Sequence, residues 1–277
     1  MTDGVLLVTC SLWPEGEPGH EALDAALAER GISFSWVAWD DPDVDWASAL
    51  VAVRSTWDYD ARVEEFWAWA GRVPRMLNSA AIFRWNTDKA YLVELAGAGL
   101  DVVPTAAVDL GADLPAAIER FAPAVVKPRF GAGGRGVVVL EDADGPVPGT
   151  GPWVVQPLVE SVRTEGEYSV YVLGGQPRSA VRKLPAGEEI RVHEQYGGTT
   201  VAVVPTQEAT SLARRTVEVA EQILGVRLDY ARVDLLRLAD GRLAVSELEV
   251  TEPGLYLDVL PENGAAFADV VAAALRR

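Results

Sequence analysis

An arginine and three carboxylates recur at strand spacing late in the chain. Arg232 and Asp234 precede an Asp240-Gly241 pair, and Glu247 and Glu249 follow it. Asp-Gly between two alternating apolar runs predicts a β-hairpin with a two-residue loop. Asp234 then faces Glu247, and Arg232 faces Glu249. Side chains alternate across a strand, so all four project from one face, together with Leu236, Leu238, Leu243 and Val245. Directly opposed residues have Cβ atoms about 5 Å apart. Carboxylates that close repel one another unless a cation joins them. Oxygen donors with room for water and phosphate suit Mg2+, with Mn2+ as a substitute. Asp234, Glu247 and Glu249 are therefore the expected metal ligands, with Arg232 beside them. The alternative is the solvated outer face of an edge hairpin. Against it stand the leucines on the same face and the clustering of charge away from the turn.

A second concentration of chemistry is Val126-Lys127-Pro128, followed by Gly131-Ala-Gly133-Gly134-Arg135-Gly136. Glycines at this density let backbone amides approach an anion and adopt positive φ. The loop runs from strand to strand and lacks Gly-Lys-Ser/Thr, so it is not a Walker loop. It reads as a flap over phosphates or as a plain mobile turn. Lys127 sits at a strand end, where a buried lysine needs an anionic partner.

The elements that must carry these groups alternate. Val5–Thr9, Ser33–Val37, Leu50–Val53 and Arg75–Leu77 read as short strands, with helices at Glu21–Arg30 and Glu64–Arg72. That alternation predicts a parallel α/β layer over residues 1–82, without a G-x-G-x-x-G turn. Asn86-Thr87-Asp88 offers caps for a helix over Lys89–Ala96. Leu114–Phe121 reads as a helix, and Ala124–Lys127, Val137–Leu140 and Trp153–Gln156 as strands, with a Gly/Pro loop at Pro146–Pro152. Residues 83–157 form the expected central unit. Residues 158–277 form a C-terminal lobe with strands Glu167–Leu173 and Arg178–Leu184, the hairpin, and helices Gln207–Leu224 and Gly264–Leu275. The fold class is α/β with an α+β C-terminal lobe.

Composition narrows the function. The chain has 277 residues, 49% hydrophobic and 23% charged, with a net charge of −17. A sequence-independent binder of nucleic acid or anionic membrane needs the opposite sign. No apolar run approaches the roughly 20 residues of a membrane span, and the first residues lack the basic start of a signal peptide. A soluble cytoplasmic protein is expected. The single cysteine, Cys10, excludes an internal disulfide and reads as core filler.

Taken in order, Val126-Lys127-Pro128 with its glycine flap, Glu167-Tyr-Ser-Val-Tyr-Val-Leu, Arg232-Val-Asp234 and Glu247-Leu-Glu249…Pro253-Gly254 resemble the ATP-grasp ligases. The glutathione synthetases, the D-alanine–D-alanine ligases and the ribosomal-protein glutamate ligase belong to that superfamily. The resemblance runs from Lys89 to Leu255, and the layer before it resembles the usual pre-ATP-grasp domain. Arg-Ser-Thr-Trp57-Asp-Tyr59 and Glu-Leu-Glu-Val-Thr-Glu-Pro look most like the actinobacterial group near the O-ureidoserine cyclo-ligase of cycloserine biosynthesis.

The resemblance implies ATP and two Mg2+ ions as cofactors, a small-molecule carboxylate and amine as substrates, and a homodimer as a relative-like assembly. It implies that Lys89 and Lys127 meet the α- and β-phosphates under Gly133 and Gly134. Gln156, Pro157, Leu158 and Val159 would form the hinge that reads adenine, and Glu167 would meet the ribose. Lys183 and Arg191 would surround the γ-phosphate, Arg232 would stabilise a tetrahedral oxyanion, and Asp234, Glu247 and Glu249 would hold magnesium. His193 stands where the glutamate ligase pattern has asparagine, as a ligand or as a solvent-facing loop residue. Two departures stand out: Glu247-x-Glu249 replaces Glu-x-Asn, and Glu252 lengthens the spacing before Pro253-Gly254.

Independently of the resemblance, Arg54, Ser55, Thr56 and Trp57 follow the third strand, at the carboxyl edge where α/β folds bind ligands. Arg54 reads as a clamp for a substrate carboxylate or as a surface salt bridge. The reaction that the resemblance implies is ATP-dependent carboxylate–amine ligation through an acyl phosphate. Its rivals are an intramolecular cyclo-ligase, a kinase that stops at the phosphorylated product, and a non-catalytic nucleotide-binding module.

Overall fold

The computed structural model describes residues 4–147 and 149–277. Residues 1–3, read above as lacking a signal sequence, and residue 148 of the expected Gly/Pro loop lie outside them. Three sheets are stacked along the chain. The first is parallel, in the order β2-β1-β3, from β1 (Gly4–Thr9), β2 (Ser33–Ala38) and β3 (Leu50–Ser55). Helices α1 (Glu21–Glu29), α2 (Val63–Ala70), α3 (Ala80–Asn86) and α4 (Tyr91–Gly97) accompany it. The expected strand at Arg75–Leu77 is a single bridge between Met76 and Val51. The chain is then turned away at Asn78, whose φ is 48°. Its side chain donates to the Tyr230 and Val250 carbonyls (both 2.8 Å) and accepts from the Asp229 amide (2.7 Å).

The helix expected from Lys89 starts later, at Tyr91. Asn86, expected as a cap, instead ends α3, and its amide is held by β12 through the Leu248 carbonyl (2.7 Å) and the Val250 amide (2.9 Å). Lys89 is thus fixed in the turn before α4, where its backbone amide donates to the Arg129 carbonyl (3.0 Å).

The second sheet is antiparallel, in the order β4-β7-β5-β6: β4 (Ala106–Val108), β5 (Ala124–Pro128), β6 (Val138–Leu140) and β7 (Trp153–Pro157). Helix α5 (Leu114–Phe121) covers it through Leu114 and Ile118, over a small core with Val126, Trp153 and Val155. The glycine flap is the β5–β6 connection.

After the short helix α6 (Ser161–Thr164), the third sheet runs β10-β9-β8-β11-β12, from β8 (Glu167–Leu173), β9 (Gln176–Leu184), β10 (Thr199–Val203), β11 (Tyr230–Arg237) and β12 (Leu243–Glu249). Helix α7 (Gln207–Leu224) lies under it. Its start is capped by Thr206, which accepts from the Ala209 amide (3.2 Å), and it ends at Gly225 with φ 68°. Leu235, Val245 and Leu248 join Ala213 and Val217 of that helix in one core. The last helix, α8 (Glu262–Leu275), packs against α1, and a Cβ at Gly264 would stand 2.8 Å from the Leu23 amide nitrogen, so only glycine permits that approach. Through α8 the first layer and the third sheet share a core: Leu7, Leu23 and Leu50 meet Tyr230, Phe267 and Val271. Among the described residues no helix is long and apolar enough to cross a membrane.

The β11–β12 hairpin differs from expectation in an instructive way. Near the turn the register is one residue off: Leu235 faces Val245, and Arg237 faces Leu243. Leu238 donates to the Arg242 carbonyl (2.8 Å), leaving a three-residue loop closed by Gly241 at φ 87°. A bulge at Ser246 then restores the other register, so Asp234 faces Glu247 and Arg232 faces Glu249 as expected. The correction falls on the leucine face. Leu243 and Val245 point into the core with Leu235, while Ser246 turns toward the carboxylates.

Candidate active site

One cleft of about 500 Å³ lies between the three sheets. Its floor is a face of the third sheet. Cross-strand pairing sets Glu167 on β8 opposite Lys183 on β9, and Arg232 and Asp234 on β11 opposite Glu249 and Glu247 on β12. Its roof is the flap with Gly133 and Gly134. Its back wall is Gln156, Pro157, Leu158 and Val159 at the end of β7, and Lys89, Lys127, Arg191, His193 and Trp57 complete the lining.

Arg54, Ser55 and Thr56 do not line it. Arg54 has no exposed surface; it donates to Glu17 (3.2 Å) and to the Pro253 carbonyl (2.5 Å) and lies over the Phe267 ring at 4.5 Å. Ser55 donates to Thr9 (2.7 Å), and Thr56 is fully buried. The clamp expected of Arg54, and the substrate contacts expected of Ser55 and Thr56, are corrected: Arg54 ties the first layer to the Pro253 segment, and Ser55 bonds within that layer. The carboxyl-edge rule failed because the chain leaves β3 under that segment, so only Trp57 emerges.

The carboxylates are joined by cations, and those cations are side chains. Arg232 grips Asp234 with two hydrogen bonds (2.9 and 2.8 Å) and also binds Glu249. Lys89 binds Glu247 (2.5 Å) and the flap carbonyl of Gly131 (3.0 Å). Lys183 bridges Glu167 (3.4 Å) and Asp234 (3.5 Å). Among the described residues no three acidic, histidine or cysteine groups converge closely enough to hold a metal by themselves. The donor set still fits magnesium shared with phosphates, since that ion takes one or two carboxylates and completes its shell with substrate oxygens and water. Glu247 and Glu249 keep about a quarter of their side chains exposed to the cleft, and Asp234 keeps 3%.

The electrostatics follow from this packing. Burial opposes the charge on Asp234, yet Arg232 and Lys183 hold its carboxyl well below the usual range. Burial likewise opposes Glu247, and Lys89 and Lys127 hold it low. Burial wins at Glu249, pushed up to about 7 despite Arg232, and at Glu252, pushed up to about 8 with help from Glu249. Burial and Asp234 raise Glu167. Lys127 is the exception among the cations. Burial lowers its pKa, and no described residue makes a hydrogen bond or ion pair with its ammonium.

The flap is fastened on two sides. Gln195 donates to the Gly133 carbonyl (2.8 Å), and Arg135 reaches the Trp57 carbonyl (3.0 Å) and the Asp60 carboxylate (2.9 Å). Arg191 lies over the Tyr196 ring at 3.6 Å and pairs with Glu189 (2.5 Å), whose pKa it lowers to about 2. His193 sits at the rim, where its Nδ1 accepts from the Gln195 amide (3.2 Å) and caps the turn. Sequence reasoning missed Trp13, Tyr59 and Tyr256, which also line the cleft. Nothing in the sequence marks Trp13, and Tyr59 stands out only as the end of the Arg-Ser-Thr-Trp57-Asp-Tyr59 segment, without a role. Tyr256 has a φ of 52°, rare for a tyrosine, and Lys183 stands 5.5 Å from its ring centre.

Comparison with known proteins gives a consistent result. Residues 5–78 match the family described as the N-terminal domain of the D-cycloserine synthetase DcsG. The cycloserine biosynthesis protein DcsG of Streptomyces lavendulae is 33% identical over 270 residues, covering 89% of this chain and 90% of that protein. The crystal structure of D-cycloserine synthetase DcsG superposes with a TM-score of 0.86 at 28% identity over 99% of each chain. Glutathione synthetase of Synechococcus elongatus is 26% identical over 211 residues, 73% of this chain and 61% of that enzyme. The ATP-grasp ligase PsnB shares the fold, with a TM-score of 0.66 at 19% identity over 98% of each chain.

Proposed function

This chain belongs to the ATP-grasp ligases, as a close homologue of DcsG, and on that premise we propose that it activates a substrate carboxylate as an acyl phosphate and joins it to an amine, releasing ADP and phosphate. ATP-dependent carboxylate–amine ligation is the activity of the family; the intermediate and the amino-acid-like substrate are the proposal. The observation that carries it is Lys127: a half-buried ammonium without a partner, under a glycine flap, in a cleft whose other cations are engaged. A partly desolvated cation in that state calls for an anion from outside, and a nucleotide phosphate supplies it.

In this reading the hinge Gln156–Val159 takes adenine through backbone groups and Glu167 takes the ribose hydroxyls. Lys89 and Lys127 hold the inner phosphates beneath Gly133 and Gly134, and Lys183 and Arg191 the γ-phosphate. Asp234, Glu247 and Glu249 would hold Mg2+, which supplies charge neutralisation between phosphate oxygens when bound. Phosphate drawing Lys89 away frees Glu247 to act as a ligand. Arg232, anchored by Asp234, presents its remaining donors where an oxyanion develops beside Glu249. Catalysis in such a site is mostly positioning and charge stabilisation.

A second reading is favoured by the near-complete coverage of DcsG: an intramolecular ligation in which carboxylate and nucleophile belong to one O-ureidoserine-like molecule. ADP formation with amino acids singly and in pairs separates the two. Turnover on a single substrate without added amine selects cyclisation, and a requirement for two selects intermolecular ligation. A homodimer is the assembly proposed from the same kinship, checked by light scattering.

A further inference from the structure

The charge of the cleft changes sign along its length. Lys89, Lys127 and Arg191 stand toward the flap and hinge, while Lys183 sits on the floor, paired with Glu167 and Asp234 and 5.5 Å from the Tyr256 ring. The wall built from the β1–α1 loop and the segment after β12 holds Glu17, Glu252 and Asp258 instead. Glu17 is neutralised by Arg54 and also accepts from the Leu255 amide (2.5 Å). Glu252 is not neutralised. It is 7% exposed, and among the described residues its carboxylate has no hydrogen bond or ion pair; only its backbone carbonyl is used, by Trp57 Nε1 (3.1 Å). Its field reaches Tyr59, Lys89 and Glu249, all of which line the same cleft. A carboxylate this buried and without a partner is unfavourable unless a ligand brings a cation. Beside it, Trp13 and Trp57 meet edge to face at 5.5 Å and line the cleft. Indole faces attract ammonium groups.

We propose that Glu252 seats the ammonium group of an amino-acid substrate, with Trp13 and Trp57 as the wall of that subsite. The proposal rests on the ligase reading above and adds the residue that selects a free amine. It also gives a use to the extra residue before Pro253-Gly254, because the longer spacing sets a carboxylate in the cleft next to Trp57.

The test is calorimetric titration of free D- and L-amino acids, O-ureidoserine included, and of the N-acetyl derivative of each, into protein saturated with Mg-AMPPNP. At least one free amino acid is expected to bind, and its N-acetyl form to bind on the order of 10–100-fold more weakly, the range for losing a charged hydrogen bond. Glu252→Gln, which keeps the shape, is expected to weaken the free form by that factor and to abolish the discrimination. Its melting temperature should be no lower than that of the wild type, and its Mg-AMPPNP affinity should stay at the wild-type value. Retained discrimination in Glu252→Gln overturns the proposal. So does equal binding of free and acetylated forms by the wild type, or no amino-acid binding while the nucleotide binds. A loss of Mg-AMPPNP affinity of about tenfold in Glu252→Gln would assign the residue to the metal set and overturn it as well. Failure of the wild type to bind Mg-AMPPNP would refute the ligase reading and this proposal with it.

Discussion

Replacing Lys127 and Arg232 separately by methionine separates a ligand-binding cation from a structural one. Arg232 is buried and Lys127 half-buried, and their surroundings differ. Arg232 neutralises Asp234 through two hydrogen bonds and Glu249 through a third. Removing it leaves Asp234, which is 2% exposed, with only the longer contact to Lys183 (3.5 Å). Breaking a buried pair on one side costs about 3–5 kcal/mol. Among the described residues Lys127 makes no hydrogen bond or ion pair; it only helps Lys89 to hold Glu247 low, and its own desolvation disfavours its charge. Lys127→Met should therefore leave folding stability between unchanged and about 2 kcal/mol higher, the lower part of the range seen when buried charge gives way to apolar groups. In ligand binding Lys127→Met should remove a charge-assisted hydrogen bond to phosphate, about 1.5–3 kcal/mol, or roughly 10–150-fold in Mg-AMPPNP affinity. Urea unfolding and calorimetric titration of each variant measure the two quantities. A Lys127→Met protein that loses several kcal/mol of stability and binds nucleotide normally would refute the reasoning.

Other consequences follow from the same contacts. Glu247→Gln should lower turnover by two or more orders of magnitude and raise the Mg2+ concentration needed, with circular dichroism unchanged; near-normal ADP release would remove Glu247 from the metal set. Arg54→Ala should cost about 3–5 kcal/mol by stranding buried Glu17, read by urea unfolding, whereas a stable variant with only a raised KM would restore the substrate-clamp role. Glu249 and Glu252 keep their protons to about pH 7 and 8 in the folded chain, while an unfolded glutamate releases its proton near about 4.3. Between those values the folded state binds more protons, so their contribution is complete at low pH and is lost as pH rises through 7 and 8. The melting temperature of the ligand-free protein should fall across that window, and Glu252→Gln should reduce the fall; a rising curve would contradict the assignment.

Much of this site is legible in the chain because its residues lie on regular elements. Lys183, Glu167, Arg232, Asp234, Glu247 and Glu249 stand on strands, where period-two spacing fixes the shared face, and the sheet brings them together. The hairpin pairing agrees with expectation through two compensating features. A three-residue loop shifts the register and a bulge at Ser246 shifts it back, and neither has a sequence signal as clear as Asp-Gly. Long, strongly periodic helices such as Gln207–Leu224 read to the residue. What failed depends on tertiary context. Arg54 follows a strand end, but whether that end opens to a cleft is decided by Pro253 and Glu17, far away in sequence. Asn86 has the chemistry of a cap and is used instead to hold β12. Spacing along a hairpin reveals which carboxylates are close together and so suggests a metal. Arg232 is legible there too, but Lys89 and Lys183 arrive from other elements and leave no mark on that spacing.

The most direct test of the central claim is ADP formation from Mg-ATP with a panel of amino acids, singly and in pairs, with mass spectrometry of the products. The account predicts substrate-dependent ADP release together with a dehydrated conjugate or a cyclised product. ADP release without any new amide or ring, or tight Mg-ATP binding with no turnover on any panel member, would contradict it.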